Sequence, residues 1–252
     1  EENASRAALC SSPEEILPLK CSGKKIIMPA IENGYAIGLD LSNIEKFRKA
    51  GVVYITLCHN GDNDICDSAS RSKREHGGLS EFGKQVVAEM NRVGMMIDLS
   101  HASEETFFQT LEVSTRPVLC SHSSSKALCN HPRNLTDDQV RALAEKGGVV
   151  QATFYEGFLV ESGEATIDDA VRHIMHLIDV AGIEHVGIGS DFDGDGGVRG
   201  LRTAADYLSL TRRLMAEGLN ERSLRKLCGG NFVRVMSRAQ YNTLFQSGYA
   251  DQ

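Results

Sequence analysis

The sequence has no excess of positive charge, no long apolar run, no CxxC pair and no internal repeat, and each absence removes a class of function. With 27 Lys and Arg against 34 Asp and Glu, a net charge of −7 and a pI near 5.6 leave no basic footprint for a phosphate backbone, so no nucleic acid partner is expected. No stretch approaches the roughly 20 apolar residues of a membrane span, and residues 245–252 form no hydrophobic tail, so no membrane span is expected. The chain opens on Glu1-Glu2-Asn3 without a basic or apolar leader, so a signal peptide is expected to be absent or already removed. Seven cysteines, an odd set, argue against a disulfide scaffold or a zinc ribbon. Mostly free thiols in a reducing compartment are expected, which favours the cytoplasm over a secreted or periplasmic location. The glycosylation sequons at Asn3 and Asn134 are short enough to arise by chance.

What is present is enough chain for one sizeable core: 252 residues, 41% of them hydrophobic. A single domain is the expectation for 1–252. Short apolar runs alternate with amphipathic stretches, the pattern of βα units and a parallel sheet. The expected strands are Lys25 to Ile31, Val52 to Leu57, Met95 to Leu99, Val118 to Ser121, Val149 to Phe154 and His185 to Ser190. The expected helices are Ser42 to Ala50, Ser80 to Val93, Ser103 to Val113, Thr136 to Lys146, Ile167 to Ala181, and a helical tail from Thr203. Ser80 and Thr136 are start signals, and Gly94, Gly147 and Gly182 stand just past the ends. The first 25 residues read as irregular or helical, broken by Pro13 and Pro18. The fold class is therefore α/β, a TIM-type (β/α)8 barrel with about six of its eight strand units present and the N-terminal side incomplete.

Glu32, His59, His101, His122 and Asp191 stand at or just past the C-terminal ends of five expected strands. In a parallel barrel those ends open onto one face. Three histidines and two carboxylates there have the composition of a metal site, since neutral imidazole and carboxylate are natural zinc ligands. One such histidine alone could equally be a hydrogen-bonded core residue; five placements together favour the metal. The run Asp191, Asp193, Asp195, Gly196 imitates an EF-hand loop, but position twelve would be Arg202 instead of the required glutamate. His173 and His176 are expected on a solvated helix face, and His76, His131 and His185 in loops or at strand starts without function.

Ile31-Glu32-Asn33-Gly34, Thr56-Leu57-Cys58-His59-Asn60, Gly78-Leu79-Ser80-Glu81-Phe82-Gly83, Ile97-Asp98-Leu99-Ser100-His101, Ser121-His122-Ser123, Arg133-Asn134 and Gly189-Ser190-Asp191-Phe192-Asp193-Gly194 together resemble the renal or membrane dipeptidase family of the amidohydrolase superfamily. The resemblance implies a binuclear zinc centre in which Glu32 bridges the ions and His101 and His122 hold the second. It further implies that His59 contacts the scissile carbonyl or its oxyanion, that Arg133 binds the substrate carboxylate, and that Asp191 handles the proton.

Two departures stand out. Asn33-Gly34-Tyr35 replaces the family's common Gly-Gly-His, and no His-x-Asp pair, which supplies the first zinc's other ligands, occurs anywhere. One zinc in this chain is consistent with that lack. The expected activity is zinc-dependent hydrolysis of dipeptides with a free C-terminal carboxylate, using water activated by the metal. The expected partners are the dipeptide, a separate N-terminal fragment of the same protein and a second copy in a homodimer. The rival readings are another amidohydrolase-type reaction, deaminase or lactonase-like, and a non-catalytic barrel remnant that only binds a ligand.

Overall fold

A computed structural model describes residues 3–241; the polar segment 245–252 lies outside them. The fold is α/β with parallel strands, as expected. The chain divides into two compact units, Glu1–Val118 with Val233–Gln252, and Leu119–Phe232. No described helix is long and apolar enough to cross a membrane. All seven cysteines are free, with Cys21 and Cys228 exposed and the other five buried.

In the first unit, β1 (Ala7–Leu9) and β2 (Lys25–Ile27) form a small parallel pair joined by α1 (Pro13–Cys21). The helix agrees with one reading of this segment, whereas β1 and the unbroken passage through Pro18 correct the rest. Pro13 opens the helix at its first turn, where a missing N–H costs nothing, and Pro18 is accommodated inside it. The structure also corrects the expected strand Lys25 to Ile31. That run is two strands, because the chain leaves the β1 ladder at Ile27 and enters another at β3 (Ala30–Glu32). Pro29 lies between them; it cannot donate, but its carbonyl accepts from Val53 N at 2.9 Å.

β3, β4 (Tyr54–Thr56) and β5 (Met96–Asp98) pair in parallel with Glu32, Thr56 and Asp98 level with one another. α2 (Ser42–Lys49), α3 (Glu81–Val93) and α4 (Glu104–Val113) make the connections. Their starts follow local chemistry: Ser80 Oγ accepts from Gly83 N at 2.9 Å, and Ser103 Oγ accepts from Thr106 N at 3.1 Å. β4 and β5 are largely buried, with Ile55, Met96 and Ile97 essentially inaccessible, whereas β3 is more exposed.

The second unit repeats the scheme with β6 (Leu119–Ser123), β7 (Val149–Ala152) and β8 (Val186–Ile188), crossed by α5 (Asp137–Glu145) and α7 (Ile167–Ala181). A four-residue helix, α6 (Glu156–Leu159), follows β7. α8 (Tyr207–Ala216) and α9 (Glu221–Arg225) fall within the helical tail read from Thr203.

The sequon at Asn134 is no acceptor in the folded chain. The side chain is 3% exposed, and its amide donates to Cys129 O and Phe158 O at 2.9 and 2.8 Å.

His173 corrects the expected solvated face. It is wholly buried on α7, its Nδ1 accepts from Ser125 N at 3.2 Å, and its Nε2 donates to Leu159 O at 3.1 Å. His176 is part-buried and pairs with Asp137 Oδ1 at 2.8 Å. Burial lowers the His173 pKa to about 4. The unfolded chain therefore holds the proton more tightly between that value and the ordinary His value of about 6.5. The neutral ring's contribution is complete above pH 6.5 and is lost as pH falls toward 4, to a total on the order of 3 kcal/mol. Urea unfolding of wild type and His173→Gln from pH 7 to pH 4 checks this. The wild type should lose more stability than the variant over that window, and parallel pH profiles would refute the assignment.

Candidate metal centre and its surroundings

His59, His101 and Asp191 each lie three positions past the last residue of a strand, β4, β5 and β8 in turn, while Glu32 is itself the last residue of β3. The level register of the first unit therefore delivers Glu32, His59 and His101 to one edge of its sheet. Their donor atoms all lie within 4.8 Å of one another. His101 Nε2 is 3.2 Å from Glu32 Oε1, and the His59 and His101 rings overlap at 4.2 Å between centroids. Tetrahedral donors at 2.0–2.1 Å from a zinc ion stand about 3.3 Å apart, so the Glu32 and His101 pair fits such an ion. His101 is buried, His59 half-buried, and the Glu32 side chain 47% exposed, so the cluster is reachable from solvent.

Several contacts hold this edge. Thr56 Oγ1 donates to Asp98 Oδ2 at 2.6 Å, and Asp98 Oδ1 accepts from Ser100 N at 3.0 Å, which ties the ends of β4 and β5 together. His101 has φ of +71°, a left-handed conformation costly for a side chain with a β-carbon, and its carbonyl is pinned by Ala69 N at 2.7 Å. Gly34 has no alternative: a β-carbon there would sit 2.7 Å from Leu57 O and 2.6 Å from Ile65 Cδ1. Tyr35, in the departure from the family pattern, is 72% exposed in the following turn.

The loop after His59 is organised by Asp67, which the sequence reading passed over. Its buried carboxylate accepts from Glu75 N and His76 N at Oδ1 and from Gly78 N at Oδ2, at 2.8–3.0 Å. Burial alone would raise its pKa, but the three amides outweigh it and hold the group below its usual value. Ser68, beside it, donates from Oγ to His59 O at 2.5 Å.

In the second unit, His122 lies inside β6 instead of past its end. Cys120 pairs with Val150 and Ser123 with Ala152, so β6 carries one more residue than β7 over that interval. This bulge at Ser121 and His122 is a device that re-aims a side chain. Ser121 Oγ lies 2.7 Å from His122 Nδ1. Gly189 brings the end of β8 against β6, since a β-carbon there would fall 1.8 Å from Ser121 O. Asp191 has φ of +60°, and its carbonyl accepts from Gly194 N and Gly196 N at 3.0 and 2.7 Å.

Arg133 is 5% exposed. Its Nη2 donates to His122 O at 3.4 Å, and its guanidinium carbon stands 5.4 Å from the centre of the Phe158 ring. His131 packs on the same ring at 4.5 Å, and burial together with the Arg133 charge lowers its pKa. A buried arginine against an aromatic wall is not a solvated loop arginine, but nothing local in the sequence distinguishes the two.

The sequence profile of the membrane dipeptidase family (peptidase family M19) matches residues 1–247. An "uncharacterized dipeptidase" of Schizosaccharomyces pombe is 40% identical over 234 residues, 90% of this chain and 56% of that protein. The chain spans about half the length of the curated relatives it matches, between 51% and 58%. Among solved structures, the probable dipeptidase PvdM from Pseudomonas aeruginosa superposes with a TM-score of 0.92 at 26% identity, covering 96% of this chain and 76% of that one. A metallopeptidase from Rhodobacter sphaeroides, solved with a phosphinate mimic of the dipeptide L-Ala-D-Ala, gives 0.87 at 31% identity, covering 94% and 70%.

Proposed function

Because the chain belongs to the membrane dipeptidase family, which its sequence matches over residues 1–247, we propose that it hydrolyses dipeptides bearing a free C-terminal carboxylate, with zinc as the metal. The observation that carries this reading is the Glu32 and His101 donor pair, 3.2 Å apart at one sheet edge with His59 beside it. The ligands proposed are Glu32, His101 and His122. One ion per chain is proposed, since no His-x-Asp pair is present.

Zinc, when bound, lowers the pKa of water from 15.7 to about 7 and polarises a carbonyl. The chain's own residues have separate tasks. Asp191 takes the proton from the attacking water and returns it to the leaving amine, as general base and then general acid. His59 donates to the oxygen on which negative charge develops. Arg133 offers a planar fork to the substrate carboxylate, which limits substrates to those whose free C-terminus lies next to the cleaved bond.

Elemental analysis of the purified chain combined with a substrate panel tests the proposal. Close to one zinc per chain is expected, with turnover of dipeptides and none of cyclic amides or phosphotriesters. Zinc with turnover of cyclic amides alone would favour the deaminase or lactonase-like alternative. No bound metal and no turnover after zinc addition would leave only a ligand-binding role.

A further inference from the structure

Asn60 follows His59 directly, and its side chain reaches across to the next strand's histidine: Asn60 Oδ1 lies 3.1 Å from His101 Nδ1. The same oxygen accepts from Ser70 Oγ at 3.2 Å, so a second donor also favours the orientation that turns oxygen, not nitrogen, toward the ring. The other ring nitrogen, Nε2, faces Glu32 Oε1 at 3.2 Å. We propose that Asn60 is a positioning residue that holds the His101 proton on Nδ1 and thereby leaves the Nε2 lone pair for the metal.

The argument is one of tautomers. A neutral imidazole carries one N–H, and only the other nitrogen can bind a cation. Without a metal, Nε2–H could donate to Glu32 Oε1, a tautomer that would close the site. An acceptor at Nδ1 opposes that state, because it is satisfied only when the proton sits on Nδ1. Partners of this kind on a ligating histidine's distal nitrogen fix ring orientation and raise ligand basicity, and losing one costs about 10- to 100-fold in metal affinity. The contact also spans two loops, since Asn60 follows β4 and His101 follows β5.

This inference rests on His101 being a metal ligand, and the experiment separates the two claims. Zinc affinity is measured by competition with a chelating dye for wild type, Asn60→Leu, Asn60→Asp, Ser70→Ala and His101→Gln. Asn60→Leu keeps the shape but removes the acceptor, and should weaken zinc binding about 10- to 100-fold. Asn60→Asp restores the acceptor and should bind at least as tightly as wild type. Ser70→Ala removes only the outer contact and should bind like wild type. Nitrogen-15 spectra of the histidine rings in the metal-free protein supply a readout that loop damage would not mimic: the His101 signals, identified by their loss in His101→Gln, should move toward the Nε2–H tautomer in Asn60→Leu. If His101→Gln loses zinc while Asn60→Leu binds like wild type, or if Asn60→Leu and Asn60→Asp fall equally, the role of Asn60 is refuted. If His101→Gln binds zinc as wild type does, the ligand assignment fails and this inference fails with it.

Discussion

Replacing His101 by alanine is expected to remove bound zinc and to lower dipeptide hydrolysis by roughly 10³- to 10⁴-fold, the several kcal/mol of charge stabilisation a metal supplies at about 1.4 kcal/mol per decade. The loss should be seen in kcat with zinc content falling in the same preparations. Glu32→Gln should behave alike but less severely, because the amide keeps a neutral oxygen donor while losing the charge that offsets a divalent cation. His101 lies buried between the Asn60 amide and the Glu32 carboxylate. The folded state should tolerate the change, since alanine fills less space and the left-handed backbone is held by the Ala69 amide. Full activity in a zinc-depleted His101→Ala preparation would sink the metal-dependent reading.

Arg133→Leu is the second large effect, and it should fall on substrate recognition with zinc content intact. Truncating one partner of a buried charged pair costs about 3–5 kcal/mol, so kcat/KM for a dipeptide should drop roughly 10²- to 10⁴-fold. A dipeptide amide, which offers no carboxylate, should be a poor substrate for wild type and should lose little further in the variant. Arg133→Lys should recover only part of the loss, because a point charge lacks the two parallel N–H groups of the fork and the flat face that lies against Phe158. Equal losses on the free acid and on the amide would show that Arg133 supports the loop instead of reading the carboxylate. Its bond to His122 O makes that outcome a real alternative.

Much of the fold was legible because its signals are local. Ser80, Ser103 and Thr136 mark their helices to within a residue, since a cap is an oxygen next to an amide three residues on. Ile167 to Ala181 was read to the residue. The division between β2 and β3 was hidden inside one apolar run, and β1 is only three residues long, too short for any periodicity. His173 was misread although the signal was present: Ala170, His173, Ile174 and Leu177 form one helical stripe, and all four are buried.

The site follows the same division. Strand ends pointed to Glu32, His59 and His101, and the chain brings those three together. The extra residue in β6 that aims His122 depends on register with β7, which no single segment encodes. Asn60 and Asp67 belong to a loop whose polar residues look alike in sequence; only the amides and the ring nitrogen they meet tell them apart.

Two of the residues proposed for the chemistry, His101 and Asp191, occupy backbone positions that glycine or asparagine would fill with less strain. A screen that rewards heat resistance alone would therefore tend to enrich glycine at 101 and 191, erasing the proposed ligand and the proposed proton carrier while the melting temperature climbs. Breeding a hardier version of this chain calls for a turnover requirement at every round, or survivors will be durable and inert.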